Sequence, residues 1–545
     1  MTAQPVLRIE NLSVALVGSP DGSARKVVQD IGLDVFAGET VCVVGESGSG
    51  KSVTSFAVMG LLAADALKPV AGRILLDGED ILQCSPERLR TLRATRMSMV
   101  FQEPMTALNP VRTVGWQIEE VLRAHSKLDA AERRRRTLEM LASVHLPDIE
   151  RIYRSYPHQL SGGQRQRVVI CMALVLKPRL LIADEPTTAL DVTTQKQVLA
   201  LIQELQRSND TAVLFITHDF GVVSDIADRV VVMNRGRVVE TGSRDAILAR
   251  PVEPYTRMLV SSVPSLVPGA KNRIEGGEVL QVKALGKTYS ERGFFKSGRT
   301  VHAAAEVSFT LRKKEILGIV GESGSGKSTV ARCIARLIAP SSGSVKIAGT
   351  EIAQASRAQL HPLRQRIQIV FQDPYRSLNA RMRVGDSITE GMRNFGASTA
   401  EANARAVELL NVVGLDADAM KRYPHQFSGG QRQRICIARA LALKPEILIA
   451  DEAVSALDVS VQAQVLQLLE DIRAKTDIAV LFITHDLRVA AQICDTIVVM
   501  KSGRIVEAAD AESVLTKPGH EYTRQLIDAA PGRHWDFRNF QALAA

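Results

Sequence analysis

Residues 45–52 read GESGSGKS, and the same eight letters return at 321–328. Both stretches fit the pattern GxxxxGK[ST]. Gly48 and Gly50, with Gly324 and Gly326, allow successive backbone N–H groups to turn inward around phosphates beside Ser47 and Ser323. Lys51 and Lys327 are placed to reach the outer phosphate oxygens, and Ser52 and Ser328 offer a hydroxyl to Mg²⁺. Val53 and Thr329, which follow directly, complete the expected nucleotide-binding set. Each loop follows a short apolar run, ETVCVVG or EILGIVG, and precedes a helix-forming one. That strand–loop–helix context is what the motif requires, because the helix N-terminus adds its dipole to the anion site.

Working outward, the whole chain proves to be a duplication. VFQ occurs at Val100 and Val370, SGGQRQR at Ser161 and Ser428, AVLFITHD at Ala212 and Ala479, and YTR at Tyr255 and Tyr522. Length changes between the halves fall before the SGGQ element. PSLVPGAKNRIEGGE, at 264–278, carries the Pro, Gly and charge of a linker. The organisation expected is a first domain at 1–267, a linker at 268–278 and a second domain at 279–545.

The bulk numbers agree with a folded two-part chain. Its 545 residues are too many for one core, and 46% hydrophobic with 23% charged residues excludes bulk disorder. The formal charge of +9, from 68 basic and 59 acidic residues, is a modest excess for this length. It suggests at most a weak preference for anionic partners. Cys42, Cys84, Cys171, Cys333, Cys436 and Cys494 are scattered without metal-ligand spacing, so neither a disulfide framework nor an iron–sulfur cluster is expected. No stretch approaches the ~18 apolar residues of a membrane span, and the N-terminus lacks a signal-peptide pattern.

The runs RLLIADE and TAVLFITHD, with EILIADE and IAVLFITHD in the second half, read as buried parallel strands. TTQKQVLALIQELQR and SVQAQVLQLLEDIRA carry apolar residues at helical spacing. Their alternation gives an α/β fold with a doubly wound sheet. LLIADE ends in Asp184-Glu185 and ILIADE in Asp451-Glu452, at the strand edge where ligands of open α/β sheets collect. The first acid of each pair suits a metal ion, and the second suits a water that attacks phosphorus.

LSGGQRQR at 160–167 and FSGGQRQR at 427–434 resemble the signature of the ATP-binding cassette (ABC) superfamily. The spacing from signature serine to acid pair, 161 to 184 and 428 to 451, is the same in both halves, as is that from the aspartate to His218 or His485. Gln102 and Gln372 match the family's Q-loop, and Asp191 and Asp458 its D-loop. The resemblance implies two tandem cassettes, each an α/β core with an antiparallel β subdomain and a helical subdomain. It implies ATP and Mg²⁺ as ligands, with Asp184, Asp451, Ser52, Ser328, Gln102 and Gln372 at the metals. Glu185, His218, Glu452 and His485 are the implied catalytic groups. Ser161 and Gly163 would complete the nucleotide site of the second half, and Ser428 and Gly430 that of the first, in a head-to-tail pair.

Three positions depart from the pattern. The family stacks adenine on an aromatic side chain; Tyr289 fits, but Leu16 occupies the corresponding place in the first half. Ala453 replaces the proline that follows Glu185, and Phe427 replaces the signature leucine. None removes a phosphate or metal ligand, so two hydrolysing sites are expected.

Within the superfamily, FQEPMTALNPVRTVGWQI, FQDPYRSLNARMRVGDSI and the tails EPYTRMLVSSVP and HEYTRQLIDAAP resemble the oligopeptide and dipeptide importer branch. That resemblance implies two membrane permease subunits, an extracytoplasmic solute-binding protein, and a peripheral place on the cytoplasmic face of the bacterial inner membrane. Met105, Trp116 and Met382 are candidate permease contacts, or ordinary packing of the helical subdomain. Arg133, Arg134, Arg135 and Arg136 read as a solvated helix face rather than a lipid or nucleic-acid patch. His158 and His425 read as local structural residues. The alternatives are a twin-cassette factor acting on ribosomes or nucleic acid, and the ATPase of a sugar importer. The short linker and the tails disfavour them, and no nucleic-acid partner is expected.

Overall fold

The computed structural model describes residues 4–18, 25–101, 107–187, 190–269, 276–290, 300–455 and 457–543. The chain divides into two compact units, Met1–Val263 with Phe537–Ala545, and Pro264–Asp536.

In the first unit a six-stranded sheet runs in the order Arg237–Ser243, Arg229–Asn234, Thr40–Val44, Ala212–Ile216, Leu180–Asp184, Met97–Val100. All its pairings are parallel except the edge pair of Arg237–Ser243 with Arg229–Asn234. Every residue of Thr40–Val44, Leu180–Asp184 and Ala212–Ile216 is buried. This is why those strands read as unbroken apolar runs, since a parallel sheet covered on both faces has no polar side. A second, antiparallel sheet orders Lys26–Val35, Leu7–Leu16, Leu67–Leu76 and Glu79–Asp80. Ile9, Ile31 and Ile74 from this sheet share one core with Val41, Ile182 and Leu214, and with Ala57 and Val58 of helix Lys51–Met59. The helix behind the phosphate loop is therefore fixed in the main core of the unit.

The second unit repeats this plan. Its six-stranded sheet runs Ile367–Val370, Ile447–Asp451, Ala479–Thr484, Ile316–Val320, Thr496–Lys501, Arg504–Asp510, and its antiparallel sheet Thr300–Arg312, Glu278–Ser290, Ser342–Ile347, Thr350–Glu351. Helix Lys327–Ile334 contributes Val330 and Ala331 to the shared core.

Between the edge strand Met97–Val100 and its neighbour Leu180–Asp184, and between Ile367–Val370 and Ile447–Asp451 in the second unit, the described chain carries helices: Val114–His125, Ala130–Ser143 and Ile149–Arg154 in the first, Val384–Asn394 and Thr399–Val412 in the second. These lead into Gly162–Leu174 and Gly429–Leu441, the helices that the SGGQ elements open. Among the described residues, no helix is long and apolar enough to cross a membrane.

Candidate nucleotide sites

The phosphate loops are held open by backbone geometry. Gly45, Gly48 and Gly50 have φ of 151°, 79° and 102°, and Gly321, Gly324 and Gly326 have 150°, 80° and 101°. A Cβ on Gly45 would lie 2.2 Å from the Met233 carbonyl, so close approach to a neighbouring strand also demands glycine there. Ser47, Gly48, Ser323 and Gly324 are exposed at the loop crest, and Val53 and Thr329 are half-buried on the helix behind it.

Lys51 is only 6% exposed and Lys327 only 4%. Lys51 Nζ donates to the carbonyls of Gly45 at 2.7 Å and Glu46 at 2.9 Å; Lys327 Nζ donates to those of Gly321 at 2.7 Å and Glu322 at 2.8 Å. Each ammonium is thus laid across its own loop, where it meets any anion that the loop encloses.

Beneath the loop, Ser52 Oγ donates to Asp184 Oδ1 at 3.3 Å, and Ser328 Oγ to Asp451 Oδ1 at 2.9 Å. Burial pushes the Asp184 carboxyl up to about 6, against the opposing hydrogen bond from Ser52. Burial likewise raises Asp451. A buried carboxylate with a hydroxyl beside it is an oxygen-only donor pair, and a hard divalent cation would offset the cost of burying the charge. The residues present fit Mg²⁺.

Glu185 and Glu452 directly follow their strands and lie in the left-handed region, with φ of 47° and 50°. The chain turns out of the sheet at this residue while its N–H still donates to Ile216 or Ile483. Glu185 Oε1 lies 2.9 Å from His218 Nδ1, and Glu452 Oε2 lies 3.4 Å from His485 Nδ1. Burial alone would raise Glu452, but the hydrogen bond and charge of His485 hold it below the usual carboxylate range. Gln372 Nε2 donates to Glu452 Oε2 at 2.8 Å. Gln102 and Met105 lie outside the described residues.

Ser161 and Ser428 are the N-caps of their helices. Ser161 Oγ accepts from the Gln164 N–H at 3.3 Å while Gln164 Oε1 accepts from the Ser161 N–H at 3.0 Å. The same box joins Ser428 and Gln431. The hydroxyl oxygen is engaged as acceptor, so its proton remains to be donated outward. A Cβ on Gly163 would lie 2.3 Å from Thr194 Cγ2, and one on Gly430 2.2 Å from Val461 Cγ1. These glycines are required by packing against the helices that follow Asp191 and Asp458. One turn on, Arg167 Nη1 donates to the carbonyls of Val144 at 3.0 Å and His145 at 2.9 Å, and Nη2 to Gln197. Asp191 itself caps its helix by accepting from the Thr194 N–H at 2.9 Å.

Tyr289 and Leu16 are 45% and 37% exposed on the first strand of their antiparallel sheets. Trp116 is sandwiched by Arg112 and Arg123, and Met382 is half-buried. Arg135 and Arg136 pair with Glu132, Arg134 with Glu150, and Arg133 donates to the Leu128 carbonyl, so the arginine run is engaged within its own subdomain. His158 and His425 stack on Tyr156 and Tyr423. Among the described residues no group of three or more His, Cys, Asp or Glu is placed for a metal.

Two contacts were not foreseen from the motifs. Tyr255 and Tyr522, in the YTR repeat of each tail, reach back to the phosphate loops: the N–H of Glu46 donates to the Tyr255 hydroxyl at 3.3 Å, and that of Glu322 to the Tyr522 hydroxyl at 3.2 Å. Exact repetition of YTR in both halves was the signal available.

Comparison with known proteins places this geometry. The chain matches the ABC transporter family at residues 28–188 and 304–455. It matches the oligopeptide/dipeptide transporter C-terminal region at 239–298 and 506–541. It is 45% identical over 533 residues to the peptidoglycan transport ATP-binding protein YejF of Agrobacterium fabrum, covering 97% of this chain and 96% of that protein. It is 44% identical over 566 residues to the glutathione import ATP-binding protein GsiA of Salmonella choleraesuis, covering 97% and 90%. A solved dimeric ATP-binding cassette, MJ0796 with ADP and Pi, is 28% identical over 44% of this chain and 98% of its own, with a TM-score of 0.39. With two cassette matches and a transporter-type tail region after each, the chain belongs to the ABC transporter family as a twin-cassette, ATP-hydrolysing ATP-binding protein.

Proposed function

We propose that this chain is the ATPase engine of a bacterial importer for peptides or related small solutes. The observation that carries the proposal is the oligopeptide/dipeptide C-terminal region found after both cassettes. Relatives named for glutathione import and peptidoglycan transport point the same way on cargo class. The chain works as a peripheral subunit on the cytoplasmic face of the inner membrane. Two permease subunits form the pathway, and an extracytoplasmic binding protein delivers cargo.

Each ATP is held by one phosphate loop. The loop N–H groups with Lys51 or Lys327 bind the phosphates. The Ser161 and Ser428 hydroxyls, already oriented by their capping boxes, donate outward to the γ-phosphate. Ser52 with Asp184, and Ser328 with Asp451, together with Gln102 and Gln372, would hold Mg²⁺, which would supply charge neutralisation at the phosphates. Glu185 and Glu452 orient and deprotonate the attacking water, and His218 and His485 fix those carboxylates by their Nδ1 contacts. Tyr289 stacks the second adenine. ATP binding closes the cassettes and switches the permease; hydrolysis and release reset it.

The test is copurification of the tagged chain from native membranes, followed by ATPase assay of the complex with candidate binding proteins and glutathione or short peptides. Recovery of two permeases and ligand-stimulated turnover is expected. Recovery of ribosomes without permeases would overturn the reading.

A further inference from the structure

The tail of each cassette is built into its ATP site. In the first unit the Glu240 carboxylate, on the edge strand Arg237–Ser243, accepts from the N–H groups of Val252 at 2.8 Å and Glu253 at 3.1 Å. That pair of bonds fixes the entry of helix Pro254–Ser261, whose second residue is Tyr255. The Tyr255 hydroxyl accepts from the Glu46 N–H and lies 3.3 Å from Glu46 Oε2, to which it donates. The carbonyl of the same Glu46 accepts from Lys51 Nζ. Hydrogen bonds at either end of the short stretch 252–255 thus link the edge strand, through the tail helix, to the loop that carries the phosphate-binding lysine.

The second unit repeats the links from strand to tail entry, from loop N–H to tyrosine hydroxyl, and from loop carbonyl to lysine. Glu507 accepts from the N–H groups of Gly519 at 2.7 Å and His520 at 3.1 Å. Helix Glu521–Ala529 presents Tyr522, 3% exposed, whose hydroxyl accepts from the Glu322 N–H. The Glu322 carbonyl accepts from Lys327 Nζ, and Lys501 Nζ lies 4.5 Å from the centre of the Tyr522 ring. The position after the first loop glycine is thereby tied, in both cassettes, to a residue more than half a cassette away in sequence. The N–H groups of Glu46 and Glu322 are engaged by the tail tyrosines.

We infer that Tyr255 and Tyr522 are positioning residues that hold the phosphate loop, and through Glu46 and Glu322 the lysine ammonium, in its nucleotide-binding shape. The inference deepens the proposed function, since it rests on these loops binding ATP. It assigns the transporter-type tail a part in nucleotide affinity as well as any part it has elsewhere. Loosening one hydrogen bond at the loop base leaves the fold intact but lets the lysine and the N–H cradle lose register, and small misplacements of binding groups carry large costs.

The experiment compares the full chain with its Tyr255→Phe, Tyr522→Phe and doubly substituted forms, which remove only the hydroxyls. Binding of a fluorescent ATP analogue and ATP turnover are measured with the thermal unfolding midpoint. The expected result is an apparent Kd and KM for ATP raised about fivefold per site, the scale of one lost hydrogen bond, with kcat within twofold or so. Glu240→Ala with Glu507→Ala, which frees the tail entry, should raise KM in the same direction and add little in the doubly Phe-substituted background. Unchanged Kd and KM in the Tyr→Phe forms overturns the inference whether or not the midpoint falls. So does a KM left unchanged by the glutamate variants, or one whose rise multiplies in full with that of the Tyr→Phe forms. A wild-type chain that binds no ATP would instead count against the proposed function.

Discussion

The two cassettes are alike in their phosphate-loop motifs and unlike around them. Lys51 and Lys327 make the same loop contacts to within 0.1 Å, and the Ser161 and Ser428 boxes have the same partners. Differences lie one layer out. Tyr289 of the second cassette corresponds in sequence to Leu16 of the first, and Ala453 stands where Pro186 follows the first glutamate. A phosphate and an ammonium allow few geometries, so the cradle is fixed by chemistry. A base stack or the support of a carboxylate can be met in several ways.

The strongest way to break this likeness is Glu185→Gln against Glu452→Gln. Each single variant should lose about half of phosphate release, and the pair about a hundredfold or more while retaining bound ATP, the scale of a lost general base. A single variant that keeps nearly all activity would show that the other site does the hydrolysis. Undiminished turnover in the pair would sink the catalytic assignment.

Next in size is packing at the signature helices. Gly163→Ala and Gly430→Ala should each lower stability by about 1–3 kcal/mol through overpacking against Thr194 or Val461. The two effects should be similar, and calorimetry of the full chain would check this; a neutral result at either position would separate the cassettes.

The smallest effect concerns the base platform. Tyr289→Ala should weaken second-site nucleotide affinity by about fivefold, the lower end of an aromatic–base stack, and Leu16→Tyr should strengthen the first by a similar factor. Nucleotide titration of the two variants would sharpen the comparison, and equal affinities in both would dissolve it.

Most of the fold was legible because its determinants are local. Thr40–Val44 and Leu180–Asp184 announce themselves as apolar runs, and the loop glycines as a spacing. The antiparallel sheet was legible only through family resemblance. Strands such as Leu67–Leu76, LKPVAGRILL, are largely exposed along their first half and carry no clean alternation. The site was legible residue by residue but not contact by contact. The pairing of Glu185 with His218, the clasp of Arg167 on Gln197, and the Tyr255 bond to the Glu46 N–H join positions far apart in the chain, and only the folded sheet brings them together. Capping by Ser161 was partly foreseeable, since S-x-x-Q is a helix-start pattern.

Gly163 and Thr194 meet as a glycine notch filled by a branched methyl, and in the other cassette Gly430 meets Val461. Thr and Val have nearly the same shape and differ in polarity, so the notch selects for outline alone. In hereditary terms the two positions form one character: any side chain gained at the notch would have to be accompanied by a smaller residue opposite. Drift at either position is therefore policed by the other, and the duplicated halves can diverge in chemistry there only along a path that keeps the outline.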